Sequence, residues 1–76
     1  MRDLIKSIAM TLVDYPERVE VSEITGTKTF VIELRVTGED MGKVIGKEGK
    51  TVKAMRTILS AASSKLQKKA VLEIIE

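Results

Sequence analysis

Two glycines three residues apart lie near the middle of this chain. Gly46 and Gly49 stand within residues 41–51, between two stretches that have the apolar spacing of helices. Glycine has no Cβ, so the backbone can turn sharply there and another chain can approach closely. The second predicted helix begins where the loop ends, so its unpaired N–H groups and the positive end of its dipole face the loop. This arrangement predicts an anion-binding turn, and phosphate is the usual ligand.

The positive charge of the chain is concentrated on this loop and the helix after it. The whole chain carries a net charge of only +2, yet residues 42–69 contain a single acid, Glu48. The basic residues of this segment are Lys43, Lys47, Lys50, Lys53, Arg56, Lys65, Lys68 and Lys69. Such asymmetry is typical of a face that binds a polyanion, although a solvated, lysine-rich helix has the same composition.

Length and composition exclude several classes of protein. Seventy-six residues predict one domain, residues 1–76. The chain has no Cys and no His, which removes disulfides, the usual zinc ligands and the commonest general base. The acidic residues are spread over different predicted elements, so we expect no metal, no cofactor and no enzymatic activity. No run of 18 apolar residues and no signal peptide are present, so we expect a cytoplasmic protein with no membrane contact.

The apolar periodicity predicts six elements in the order αββααβ. In chain order they are helix 3–13, strand 17–24, strand 29–36, a short helix of about 39–45, a helix of about 50–69 and strand 70–75. Thr37 is the predicted cap of the short helix. A helical crossover joins the last two strands, so they should be parallel neighbours. The predicted fold is α+β in two layers, with a three-stranded mixed sheet and all three helices on one face.

The residues Val44-Ile45-Gly46-Lys47-Glu48-Gly49-Lys50 resemble the I-G-x-x-G signature of K-homology (KH) domains. The αββααβ order resembles the type II KH topology. The whole chain, including residues 13–17 and 53–58, is similar to the small bacterial single-KH-domain RNA-binding proteins of the KhpA family. A GxxG spacing alone is a weak signal, and it becomes specific here because a hairpin and a helix precede it and a longer helix and a strand follow it.

The resemblance implies a mechanism and a set of partners. A KH loop clamps the backbone of about four single-stranded nucleotides, and the bases lie in an apolar groove beside it. By this resemblance, the clamp would consist of Gly46, Lys47, Glu48 and Gly49, and the flanking positive charges would be those of Lys43, Lys50, Lys53 and Arg56. Val44 and Ile45 would form the floor of the groove, and residues 71–75 would form its opposite wall. The implied function is that of an RNA chaperone or post-transcriptional regulator. The implied partners are single-stranded RNA and either a second copy or a larger KH-containing RNA-binding protein of the KhpB (Jag-like) type.

Other interpretations of the same residues stay open. The two glycines can simply end one helix and begin the next, and Lys53 and Arg56 can be solvated surface. Glu48 places a negative charge in a loop that should hold phosphate, and the chain has few aromatic side chains on which bases could stack. The alternative function is a protein-interaction or dimerisation module that has kept the KH fold and has little affinity for RNA, contacting its partner through sheet edges and the first helix.

Overall fold

The computed structural model describes all of residues 1–76 and confirms the predicted element order. The elements are α1 (Arg2–Leu12), β1 (Glu20–Thr25), β2 (Thr29–Arg35), α2 (Met41–Ile45), α3 (Lys50–Ser64) and β3 (Lys69–Ile75). Three short 3₁₀ turns, Pro16–Arg18, Gly38–Asp40 and Lys47–Gly49, complete the chain. The result is the α+β arrangement expected from the periodicity.

The three strands form one mixed sheet in the order β1-β2-β3. β1 and β2 pair antiparallel as a hairpin, whereas β2 and β3 pair parallel. The parallel pairing follows from the crossover through α2 and α3, because two parallel strands cannot be joined by a tight turn. Ile32 of β2 lies between Glu23 of β1 and Leu72 of β3.

A single apolar core lies between this sheet and the helices. The alternation of β2 turns Phe30, Ile32 and Leu34 inward, and the helices contribute apolar side chains to the same core. From the helices these are Ile5 and Ala9 of α1, Val44 of α2, and Val52, Met55 and Leu59 of α3. Each large apolar side chain buried in this way stabilises the fold by roughly 1.5–3 kcal/mol. The chain has two ion pairs, both exposed, and such pairs contribute about 1 kcal/mol or less, so the core dominates stability.

The end of α3 differs from the prediction. The helix ends at Ser64 and not near residue 69. Gln67 takes a left-handed φ of 57°, and the N–H groups of Gln67 and Lys68 donate to the carbonyls of Ser64 and Ser63, both at 3.0 Å. This is a Schellman motif formed without the glycine that usually marks it. Leu66, which the prediction placed inside the helix, therefore lies in the turn and is 59% exposed.

Two further boundaries also differ from the prediction. β1 begins at Glu20 and not at residue 17, because Pro16 begins a 3₁₀ turn and its fixed φ suits the first position of such a turn. The predicted helix of residues 39–45 is split into a 3₁₀ turn, Gly38–Asp40, and the five-residue α2. Thr37 stands at the cap position of this turn, but its hydroxyl makes no capping hydrogen bond.

A buried carboxylate holds the start of α2. Asp40 is fully buried, and its two oxygens accept hydrogen bonds from the backbone N–H groups of Asp14 and Tyr15, both at 3.1 Å. Burial raises the pKa of the Asp40 carboxyl, but these two hydrogen bonds, together with smaller contributions that include the positive charge of Lys43, outweigh burial and hold the pKa below its ordinary value. The pair of bonds ties the segment after α1 to the segment before α2.

The loop between α2 and α3 depends on one glycine more than on the other. Gly46 has a φ of 79°, and a Cβ there would lie 2.2 Å from the Thr51 Oγ1 atom and 2.8 Å from the Thr51 nitrogen. Gly49 has a φ of 74°, but the nearest atom to its Cβ position is Lys53 Cε at 3.8 Å. Between them, Glu48 also has a left-handed φ, 58°, which is uncommon for a residue with a side chain.

The backbone hydrogen bonds show that both glycines also mark helix ends. The Gly46 N–H donates to the Gly42 carbonyl at 2.8 Å and ends α2, and Gly49 stands at the cap position of α3. The alternative interpretation of the glycines is therefore correct for the backbone. It does not exclude contact with a phosphate, because the first N–H groups of the same turn have no acceptor inside it.

Asp40→Asn should lower stability, because an amide has only one acceptor oxygen for the two N–H donors. We expect a lower urea midpoint, measured by circular dichroism, than in the wild type and in the control Glu39→Gln. Since the folded pKa of Asp40 is lowered, its stabilisation is present above the ordinary value of 3.8 and lost as pH falls through the folded pKa. Wild-type stability should therefore fall more steeply below about pH 4 than that of Asp40→Asn. Equal midpoints for all three proteins would contradict the anchor role.

Gly46→Ala and Gly49→Ala should differ strongly although each adds a single methyl group. Gly46→Ala adds a collision with Thr51 to the cost of a left-handed φ, and we expect a loss of about 3 kcal/mol or more. Gly49→Ala adds only the cost of φ, about 1 kcal/mol. Urea unfolding of the two variants measures both losses, and equal losses would show that the contact with Thr51 does not constrain the turn.

Candidate nucleic-acid interface

The turn Lys47–Gly49 presents backbone donors at the start of α3. The N–H groups of Lys47 and Glu48 open this 3₁₀ turn, and the first N–H groups of a helical turn have no acceptor inside it. α3 has 15 residues and directs the positive end of its dipole toward the same turn. The local geometry is therefore that of an anion-binding site.

Three lysines surround this turn without an acidic partner. Lys47, Lys50 and Lys53 are exposed, and neither of the two ion pairs of the chain involves them. The aliphatic stem of Lys53 passes beside Gly49, with its Cε atom 3.8 Å from the Cβ position of that residue. Glu48 is exposed and likewise unpaired, so its negative charge is not neutralised by the protein.

The other two predicted cations have partners within the protein. The Lys43 ammonium lies 3.0 Å from the Asp14 carboxylate. The hydrogen bond and charge of Asp14, with the charges of Asp40 and Glu39, raise the pKa of Lys43 above its ordinary value. The Arg56 guanidinium donates to the Leu72 carbonyl of β3 at 3.3 Å. Of the four predicted flanking cations, Lys50 and Lys53 are therefore unpaired near the loop, whereas Lys43 and Arg56 contact other parts of the protein.

The predicted floor of the groove needs a correction. Val44 is fully buried in the core and has no surface with which to contact a ligand. Ile45 is partly buried, packs against the core and keeps some of its surface exposed. The prediction for Val44 was wrong because α2 is only five residues long, too short for periodicity to separate its buried side from its exposed side.

β3 lies beside α3, and the two faces of the strand can now be assigned. The Val36 N–H donates to the Ile75 carbonyl, and the Lys69 N–H donates to the Lys28 carbonyl. The odd-numbered residues of β3 therefore direct their backbone hydrogen bonds toward β2. Leu72, by contrast, directs its carbonyl to the outer edge, where Arg56 reaches it. The side chains of Ala70 and Ile74 lie on the helix side and are partly buried against the core. These two are the aliphatic side chains of β3 on the helix side that keep some exposed surface.

The surface around the loop is open. None of the three surface depressions of the protein is lined by any residue of the segment 43–56. No group of three or more carboxylates that could hold a metal ion is found. None of the helices combines the length and the apolar character needed to cross a bilayer. Because no depression borders the loop, the site suits an extended chain that lies across the surface better than a small enclosed ligand.

Comparison with known proteins identifies the family. The sequence model for the KH domain of KhpA/KhpB matches residues 2–74. The chain is 52% identical over 75 residues to the RNA-binding protein KhpA of Clostridium acetobutylicum, covering 99% of this chain and 100% of that protein. It is 50% identical over 76 residues to the RNA-binding protein KhpA of Aquifex aeolicus, covering all of this chain and 96% of the relative.

A solved structure shares the fold. The crystal structure of Era in complex with MgGDPNP and nucleotides 1506–1542 of 16S ribosomal RNA superposes with a TM-score of 0.63 at 20% identity, over 97% of this chain and 28% of the Era chain. The family match spans nearly every residue, and the relatives are similar over their full lengths. The chain therefore belongs to the KhpA/KhpB family of KH domains, a family of binding domains and not of enzymes.

Proposed function

We propose that this protein binds single-stranded RNA, with the loop Gly46-Lys47-Glu48-Gly49 on the sugar–phosphate backbone. One observation carries the proposal: three exposed, unpaired lysines lie at a turn whose first two N–H groups, those of Lys47 and Glu48, have no acceptor inside it. Relatives between 45% and 52% identical over almost their whole lengths are named RNA-binding proteins, which supports the same ligand here.

The proposed contacts are ionic on one side of the strand and aliphatic on the other. Phosphate oxygens accept hydrogen bonds from the turn, and Lys47, Lys50 and Lys53 neutralise neighbouring phosphates. About four nucleotides cover such a loop, with their bases against Ile45 and Ile74. Three ionic contacts give a slope of about −2 in a plot of log K against log salt, since each contributes about −0.7 on single strands.

A single loop of this kind should bind weakly. It reads few nucleotides, and the exposed Glu48 carboxylate repels the ligand, so we expect micromolar affinity or weaker. Glu48 opposes binding only through its side chain, because its backbone N–H, at the start of the turn, can still donate to a phosphate. Useful affinity therefore needs a second loop on the same RNA.

The apolar surface of the helices supports pairing with another KH domain. Leu4 and Met10 of α1 are 43% and 42% exposed, and Ile58 of α3 is 42% exposed. We propose a homodimer, or a heterodimer with a KhpB (Jag-like) protein, acting in the cytoplasm as an RNA chaperone or post-transcriptional regulator. The alternative function is pairing alone, with little RNA affinity, and the same exposed side chains favour it.

Lys47→Asp combined with Glu48→Asp should weaken RNA binding strongly without unfolding the protein. Aspartate tolerates the left-handed φ of residue 48, so the turn should be kept while its charge becomes more negative. Fluorescence anisotropy with a short single-stranded RNA should show a loss of at least about tenfold, the effect of one or two lost charge-assisted contacts. Lys28→Asp, in the exposed β1–β2 turn, changes the net charge by the same amount and should retain most of the binding. Unchanged binding in the folded double variant would reject the proposal and favour the pairing-only function.

Self-association should not depend on the RNA-binding loop. Because apolar contacts are not screened by salt, we expect dimers in analytical ultracentrifugation both at low salt and at salt concentrations that abolish RNA binding. The variant Lys47→Asp with Glu48→Asp should dimerise like the wild type. A protein that stays monomeric at every concentration would contradict the homodimer and leave the heterodimer to be tested by mixing.

A further inference from the structure

One basic residue near the loop is held by a defined acid. Lys43 precedes Gly46 by three residues in the sequence. Its ammonium group lies 3.0 Å from the Asp14 carboxylate. The backbone of Asp14 is fixed in turn, because its N–H donates to the buried Asp40 carboxylate at 3.1 Å. The backbone that carries this acid is therefore held in place by the fold.

The surroundings of Lys43 differ from those of the lysines on α3. The junction of the segment after α1 with α2 carries Asp14, Glu39 and Asp40 close to one cation, and Tyr15 donates its hydroxyl to Glu39 at 3.3 Å. On the other side of the loop, Lys50 and Lys53 have no ion-pair partner. The loop thus has an acidic side, toward α1, and a basic side, along α3.

We propose that Asp14 limits the RNA affinity of this domain. By pairing with Lys43, it withdraws that cation from the binding surface and leaves the RNA strand to follow Lys50 and Lys53 along α3. This inference rests on the proposed function of the loop. The side chains of Lys43 and Asp14 are 44% and 66% exposed, and an ion pair so exposed is weak, so its loss should release Lys43 without disturbing the fold.

Asp14→Asn tests the proposal, because it removes the charge and keeps the shape of the side chain and the backbone N–H that bonds Asp40. We expect RNA affinity to rise by about three- to tenfold at low salt. The slope of log K against log salt should steepen by about 0.7, the contribution of one additional phosphate contact. A role of Asp14 in folding alone would not change this slope.

Two further proteins complete the test. Glu23→Gln removes the same charge from an exposed position on β1 and should leave the slope unchanged. Asp14→Asn in a Lys43→Met background should lose the gain, since no ammonium is left to release. An unchanged slope in Asp14→Asn, an equal rise in Glu23→Gln, or a gain that persists without Lys43 would each overturn the proposal.

The failure of this inference can be separated from that of the proposed function. If Lys47→Asp with Glu48→Asp weakens binding but Asp14→Asn changes nothing, only the role of Asp14 is rejected. If the wild type does not bind single-stranded RNA, or if binding ignores the loop substitutions, both proposals are rejected.

Discussion

The close contact between the Gly46 backbone and Thr51 determines where α3 begins. A Cβ on Gly46 would overlap the Thr51 side chain at 2.2 Å, so only glycine lets the first turn of α3 approach the end of α2. This approach turns the chain within three residues and places the start of α3 beside the open turn. Without it, the N–H groups, the helix dipole and the lysines would not face one region.

The other end of α2 is fixed by a buried charge. A five-residue helix is far too short to form alone, since nucleation is unfavourable and isolated helices need about 12 residues or more. α2 is instead held by the Asp40 carboxylate at its start, by Val44 in the core and by Gly46 at its end. The conformation of α2 therefore depends on tertiary contacts and not on the helix alone.

Much of the fold could be predicted from the sequence because its signals are periodic. The alternation of Phe30, Ile32 and Leu34 predicts the central strand, and a crossover of two helices predicts its parallel neighbour. The end of α3 was missed because Gln67 takes the left-handed conformation that glycine usually marks.

The candidate site could be predicted only in part. Its turn and three of its lysines follow from spacing along the chain, which is a local property. The partners of Lys43 and Arg56 lie on other elements, 29 and 16 residues away in sequence, and no local pattern reveals them. The buried role of Asp40 was hidden for the same reason, because an acid near the start of a helix is also favoured by the dipole alone.

A nuclear magnetic resonance titration of the isotope-labelled protein with a short single-stranded RNA tests most directly whether the loop holds the phosphate backbone. We predict that the backbone amide signals of Lys47, Glu48 and Gly49 shift most, followed by those along the first turns of α3. Shifts confined to the opposite face of the sheet, around Val31 and Val71, with unchanged loop signals, would contradict this.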